Sequence, residues 1–316
     1  MTAGQVLGGQ IRRRRIRDQL ARMGSGLAGI AGRRDGLVGG IILIVFTVLA
    51  IAPDLIAGPL ETVVSASGQR FDSPSGLHLF GTDRQGRDVL NLTIHGTRVS
   101  MIIGLLATVI TVFIGAVIGI VSGFLGGMVD TVLMRLTDFF LVLPTFVLAL
   151  ILAPILIELI GSQAEFLGMR VTLVVIVIVI GITSWASTAR IIRSQTLSLR
   201  ERAFVDRSRV VGAGSGWIMR RHILPNVVNL IVANTVLTFA GAVLTETTLS
   251  FIGLGDPFQP SWGQLLNQAQ SDGAASLGAW WVIAPPGVAI VLVVLAFTLV
   301  GGALDDILNP KLRGRR

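Results

Sequence analysis

Apolar runs separated by short polar or basic stretches dominate the chain, and their lengths set its elements. A helix that crosses a hydrocarbon core needs about 20 mostly apolar residues. Six stretches meet that need: Leu37 to Ala52, Val99 to Val121, Val132 to Leu159, Val171 to Ile192, Val227 to Phe251 and Trp281 to Leu304. The pattern predicts an all-α integral membrane protein with six transmembrane helices. The first stretch is short and glycine-rich. Arg12 to Arg15 before it and Ala50-Ile51-Ala52 at its end give it the outline of a cleaved signal peptide. Pro53 follows at once and the basic region is long, so the stretch is read as a retained helix. Prolines mark the joints: Pro53 and Pro59, Pro144 and Pro154, Pro225, and Pro285 with Pro286. Each removes a backbone donor and kinks a membrane helix. Gly115, Gly119 and Gly123 follow a small-xxx-small spacing that lets a second helix approach closely.

Composition agrees with the pattern. Of 316 residues, 52% are hydrophobic and 14% charged, against about 25% charged in soluble domains. The mean hydropathy is +0.77. A soluble, fibrous or disordered chain is excluded. Cysteine is absent, which removes disulfides, Cys-ligated metals and thiol nucleophiles. His78, His95 and His222 are too scattered for a metal site, so no metal ligand is assigned. The only lysine is Lys311, so no Walker A loop exists.

The formal net charge of +8 comes from clusters, not from a face that nucleic acid could bind. With six crossings, 21 of the 26 basic residues fall on one side. Cytoplasmic loops keep Lys and Arg, so both termini are cytoplasmic. The expected layout is a basic segment at 1–35, a first helix at 36–53 and an extracytoplasmic segment at 54–97. A transmembrane core covers 98–304, with a cytoplasmic loop at 194–225 and an extracytoplasmic segment at 252–280. A cytoplasmic tail covers 305–316.

Ionisable groups within the spans are few. Arg135 and Asp138 lie three apart on one helix face and can pair with each other, either to set helix depth or to act in gating. Glu158 is near an outer end. Glu246 is deep in the fifth span, where it either lines an aqueous pathway or bonds a neighbouring helix. Asp305 and Asp306 are read as solvated. No Ser-His-Asp set appears, and no carboxylate chain of the kind a proton-coupled carrier uses.

The most informative stretch runs from Arg200 to Asn226. Ala203, Phe204 and Val205 begin a short amphipathic helix that continues through Arg209. Gly212, Gly214 and Gly216 permit a tight turn. Trp217 to Met219 resume an apolar stretch, and Leu224-Pro225 leads into the fifth span. The result is a compact cytoplasmic knob that can dock on a soluble partner.

The spacing of this knob resembles the signature loop of permease subunits in bacterial ABC importers: E-A-A, three residues, G, nine residues, I-x-L-P. Asp206 takes the Glu place, Arg207 and Ser208 the alanine places, Gly212 the Gly place and His222 the Ile place, with Leu224-Pro225 at the right distance. Phe80-Gly81-Thr82-Asp83, Gly86-Arg87-Asp88-Val89-Leu90, Arg135-Leu136-Thr137-Asp138, Leu249 to Gly255 and Ala279-Trp280-Trp281 resemble the dipeptide, oligopeptide and nickel branch, second permease type. The resemblance covers about residues 36–313.

It implies the type I importer permease fold in a bacterial inner membrane, a second homologous permease chain, two cytoplasmic ABC ATPases and an extracytoplasmic binding protein, all beside membrane lipid. ATP and Mg²⁺ would be bound by the ATPases and no cofactor by this chain. Ala203 to Trp217, with Ala213 and Gly214 at the turn, would couple to an ATPase. The substrate implied is a di- or oligopeptide, for which Asn234, Thr238, Thr245 and Glu246 are candidate pathway contacts. A nickel-chelate permease is the alternative substrate reading, and a stand-alone secondary carrier the alternative class.

Overall fold

The computed structural model describes residues 32–161, 164–166 and 169–308. Most of the basic segment (1–31) and the end of the tail (309–316) lie outside the described residues. The elements in chain order are α1 (Arg34–Ile51), α2 (Pro53–Ala57), α3 (Leu60–Val63), α4 (Val89–Leu125), α5 (Gly127–Val142) and α6 (Thr145–Ile160). A hairpin of β1 (Glu165–Phe166) and β2 (Met169–Arg170) precedes α7 (Val171–Arg200). Then come α8 (Ala203–Val210), α9 (Ser215–Ile218), α10 (Leu224–Leu249), α11 (Trp262–Ser271) and α12 (Trp280–Leu308).

Five helical rods are long and apolar enough to cross a membrane, and the bent pair α5–α6 supplies a sixth crossing. The sequence pattern predicts one continuous third span, but the chain turns by 89° between Val142 and Thr145. Pro144 is the cause. The residue before proline is barred from helical backbone, and Leu143 accordingly adopts an extended ψ of 126°. The second span starts ten residues earlier than its apolar run, because Asp88 caps α4 by accepting from the Asn91 amide at 3.0 Å.

The closest helix pair is α4 against α7. A Cβ on Gly115 would lie 2.6 Å from Thr188 Cβ, one on Gly119 2.6 Å from the Ala189 carbonyl oxygen, and one on Gly123 2.8 Å from Thr196 Cβ. The three glycines therefore form the seam that their spacing predicts. Around it, Ala149, Val175, Ile176, Val179, Ile180 and Leu249 join α6, α7 and α10 in one core. A second core joins Phe46, Phe239, Trp262 and Val293 from α1, α10, α11 and α12.

The ends of the bundle are distinct. At one end, Arg33 pairs with Asp306 at 2.6 Å, so the chain enters α1 and leaves α12 on the same side, as the basic clusters require. At the other end, the 54–97 and 252–280 segments interlock. Asp83 accepts from Arg87 Nε at 2.7 Å, Arg87 Nη2 donates to Gln268 at 2.8 Å, and Arg84 pairs with Asp272 at 3.1 Å. Arg98 donates to the Ala50 and Ile51 carbonyls and pairs with Asp54.

Ion pairs tie α5 to α7. Both Asp130 oxygens accept from Arg193 at 2.6 Å, and Asp138 accepts from Arg190 at 2.6 Å. This corrects the expected Arg135–Asp138 pair: Arg135 is exposed, and α7 presents Arg190 directly to the Asp138 carboxylate. One short charge-assisted bond from the packed neighbouring helix holds Asp138, and the two parallel bonds at Asp130 brace the same pair of helices. Asp130→Asn is expected to cost about 1 kcal/mol and to lower the melting temperature of the solubilised chain by about 2–4 °C, measured by scanning fluorimetry. An unchanged melting temperature would mean that the pair is screened out.

Candidate functional site

The cytoplasmic knob is built on the ends of three spanning helices. Val205 on α8, Ile218 on α9 and Ile223 are fully buried against Ile120 and Phe124 of α4, Ile192 of α7 and Val227 of α10. Phe204 and Ala213 pack partly against the same cluster. The knob is thus packed on the bundle at this end as one continuous core.

Gly212 shapes its turn. Its φ is +86°, a left-handed conformation that non-glycine residues reach at a cost of about 1–3 kcal/mol. The Gly212 amide donates to the Arg209 carbonyl at 2.9 Å and the Ala213 amide to the Ser208 carbonyl at 3.0 Å. Those two bonds form a Schellman motif that closes α8. A Cβ at Gly212 would meet nothing within 4 Å among the described residues, so backbone conformation alone calls for glycine there.

The residues that depart from the E-A-A pattern meet each other. The Ser208 hydroxyl lies 2.9 Å from the Phe204 carbonyl and 3.2 Å from His222 Nε2. Its one proton serves the carbonyl and its lone pair faces the imidazole. The His222 ring also packs against Trp217 at 5.2 Å and Phe204 at 5.7 Å. A serine in an alanine place and a histidine in the isoleucine place therefore make a compensated contact across the knob. Arg207 is exposed, as are Ala203, Leu224 and Pro225.

Beyond the turn the chain enters the fifth span without a break. The apolar stretch that resumes at Trp217 belongs to α9, which continues through a widened π turn at Met219–Ile223 into α10. Pro225 lacks the amide that would bond four residues back, and the Leu224 amide reaches the Met219 carbonyl instead.

The outward face of the knob carries Asp206, bonded to Arg209 at 3.3 Å, together with Trp217 at 54% exposure, Val210 at 88% and Val211 at 86%. The sequence reading missed Val210 and Val211. Two consecutive valines just before a helix-ending glycine, in a basic loop, were the available signal.

The candidate pathway residues separate into two groups. Asn234, Thr238 and Thr245 share one face of α10 with Gly241 and Thr248, repeating every three or four residues. Asn234 donates to Thr188 on α7 at 2.9 Å and to Thr238 at 3.2 Å. The Thr245 hydroxyl folds back onto the Gly241 carbonyl. Glu246 is elsewhere: it is fully buried inside the chain, bonded by Ser250 at 2.8 Å and Thr247 at 3.4 Å. Both partners belong to its own helix and the turn that follows it. A groove of about 610 Å³ opens beside α1, α4, α10 and α12. Met101, Ile102, Leu105, Phe239 and Phe297 line it, and its one charged residue, Arg98, is already paired. Apart from Thr47, Thr108 and Thr235, whose hydroxyls donate to carbonyls of their own helices, such walls offer nothing to the charged termini of a peptide.

A six-crossing bundle with a signature knob defines a permease of an ATP-driven importer. The family model described as "Binding-protein-dependent transport system inner membrane component" matches residues 115–314. A protein of Brucella suis biovar 1 (strain 1330), by name a candidate peptide transport system permease, is 36% identical over 282 residues, covering 89% of each chain. The dipeptide transport system permease protein DppC of Bacillus subtilis (strain 168) is 35% identical over 277 residues, 86% of this chain and 80% of that one. In structure, a chain of the MetNI methionine ABC transporter, solved in inward-facing conformations, superposes with a TM-score of 0.52 at 17% identity. It covers 69% of this chain and 94% of its own, and shows the shared fold. The chain belongs to the inner-membrane permease family of binding-protein-dependent transport systems. Members of that family work in the inner membrane with separate ATPase and substrate-binding partners.

Proposed function

We propose that this chain is one of two permeases in an ATP-driven importer of di- or oligopeptides, and that its knob receives the thrust of an ATPase. The observation that carries the coupling role is the knob itself, a unit packed on α4, α7 and α10 that leaves Val210, Val211 and Trp217 uncovered among the described residues. The relatives named for peptide transport support the substrate class. ATP and Mg²⁺ bind the two ATPase partners; this chain lines half of the pathway, with the Asn234–Thr248 face of α10 turned to the substrate. Movement of the knob biases the bundle between inward-facing and outward-facing states.

The test is uptake by the full complex, reconstituted in liposomes with its binding protein and ATP. Labelled di- and tripeptides are expected to accumulate and a nickel chelate is not. Accumulation of the chelate alone would overturn the peptide reading.

Gly212→Val tests the coupling role. The variant is expected to insert normally, because its side chain meets open space. Backbone strain of about 1–3 kcal/mol would distort the turn, so that uptake per ATP hydrolysed falls about tenfold. Gly212→Asn, which tolerates left-handed backbone, is expected to stay near wild type. Equal coupling in Gly212→Val would remove the knob from the drive path.

A further inference from the structure

The apolar groove beside α1, α4, α10 and α12 has one charged end. α1 is 18 residues long, and its rise of about 27 Å nearly equals the hydrocarbon core of about 30 Å. Its last carbonyls therefore lie at the outer edge of the bilayer. Arg98 of α4 meets them there. Its Nε donates to the Ala50 carbonyl at 3.1 Å, its Nη2 donates to the Ile51 carbonyl at 3.0 Å, and its Nη1 pairs with Asp54 at 3.0 Å. A guanidinium carries five N–H donors, so these three contacts leave two free to bond outward. The ion pair also stays open, with the Arg98 side chain 39% exposed and that of Asp54 47%. The mouth of the groove is thus a neutral pair of opposite charges.

Below the mouth the walls change character. From Arg98 to Val109 the groove follows α4 inward by about 16 Å, at about 1.5 Å per residue. Half of the hydrocarbon core is about 15 Å, so the groove ends near the middle of the bilayer. Met101, Ile102, Leu105, Phe239 and Phe297 supply its apolar walls. The hydroxyls of Thr47, Thr108 and Thr235 are committed to the carbonyls of Leu43, Gly104 and Ile231 in their own helices. A cavity of about 610 Å³ with such walls takes an apolar occupant and not water.

We propose that this groove seats one acyl chain of an outer-leaflet phospholipid whose headgroup carries a primary ammonium, the phosphatidylethanolamine class. The depth selects one leaflet, the walls select hydrocarbon, and the mouth selects the headgroup. The free Arg98 N–H groups donate to the lipid phosphate, and the ammonium donates to Asp54, so that four charges of alternating sign meet. A choline headgroup has no N–H to give Asp54. An anionic headgroup without an ammonium leaves Asp54 with no new partner. The seated chain fills the gap that α1, α4 and α10 leave between their own side chains. The site is independent of what the importer carries.

The test uses the full importer complex, purified through this chain and reconstituted in phosphatidylcholine liposomes. A trace of phosphatidylethanolamine bearing a diazirine on one acyl chain is included, and labelled peptides are mapped by mass spectrometry after irradiation. The same diazirine chain on phosphatidylcholine and on phosphatidylglycerol gives the comparison. Labelling of segments 98–109 and 235–239 is expected to be about tenfold stronger from the ethanolamine probe than from either other probe, the gain of one charge-assisted bond. Labelling elsewhere on the complex is expected to be equal for all three. Asp54→Asn, at an exposed position, is expected to bring the ethanolamine probe down to the choline level. Leu105→Trp, which fills the groove, is expected to remove its labelling by every probe. Equal labelling of the wild-type groove by the ethanolamine and choline probes would overturn the proposal and leave ordinary solvation by lipid. An ethanolamine preference that survives Asp54→Asn would overturn the headgroup assignment. A wild-type groove that no probe labels would also overturn the proposal and give the groove to protein, a face of the second permease.

Discussion

Gly119→Leu is expected to leave little folded permease in the membrane. Helices in lipid gain nothing from hiding apolar surface from each other, so they associate through close packing of small residues. Gly119 is the middle contact of the α4–α7 seam. Its missing Cβ would stand 2.6 Å from the Ala189 carbonyl oxygen, 2.9 Å from Ile192 Cβ and 3.0 Å from the Arg193 amide nitrogen. Two of those atoms are backbone and cannot swing aside. Overpacking a core with movable neighbours already costs about 1–3 kcal/mol, and a whole domain holds only about 5–15 kcal/mol. Separating α4 from α7 would also open the Gly115 and Gly123 contacts and strip cover from Phe124 and Ile192 beneath the knob. Gly241→Leu is the control, because a Cβ there meets nothing within 4 Å among the described residues. Detergent extracts of both variants, compared for yield and monodispersity, decide the matter. Equal recovery of Gly119→Leu and Gly241→Leu would show that the seam tolerates separation.

That seam was legible in the sequence because its signal is local: three glycines at a spacing of four can only serve one face of one helix. The six crossings and the side occupied by the basic clusters were legible for a similar reason, since length and charge act segment by segment. What escaped depends on partners far along the chain. Asp138 and Arg135 looked like a pair because both lie in one helix. Arg190, 52 residues on, takes the carboxylate only because α5 and α7 lie together. The break at Leu143-Pro144 was visible as a proline, but not its angle, which is set by the cores that hold α5 and α6. Glu246 shows the same limit most clearly. A lone acid in an apolar span reads equally as a pathway group or a structural bond, and its full burial, with Ser250 bonded to it, depends on elements that close over it from far along the chain. The knob was legible in its spacing. The contact between Ser208 and His222 was not, because each alone looks like a departure from the pattern.

Val210→Asp with Val211→Asp is expected to abolish ATPase docking while sparing the permease. These valines are the most exposed apolar residues of the knob, at 88% and 86%, and they end and cap α8 just before its closing glycine. Among the described residues nothing covers them, so replacing them removes no core contact and insertion is expected to be normal. A chain that only anchored at anionic headgroups would use its arginines there and gain little from two bare valines. Buried in a partner groove, each valine contributes about 1.5 kcal/mol or more. Losing both weakens docking about a hundredfold, since about 1.4 kcal/mol is a factor of ten. Each introduced carboxylate must in addition shed water on docking, which is costly without a partner. The measurement is binding of the purified ATPase to the permease pair in nanodiscs, with Arg207→Ala as the control for charge alone. Strong loss in the valine variant and a mild, salt-dependent loss in the arginine variant would mark an apolar socket rimmed by charge. Undiminished binding in the valine variant would put those side chains in solvent or lipid and move the docking surface to Trp217 and the start of α9.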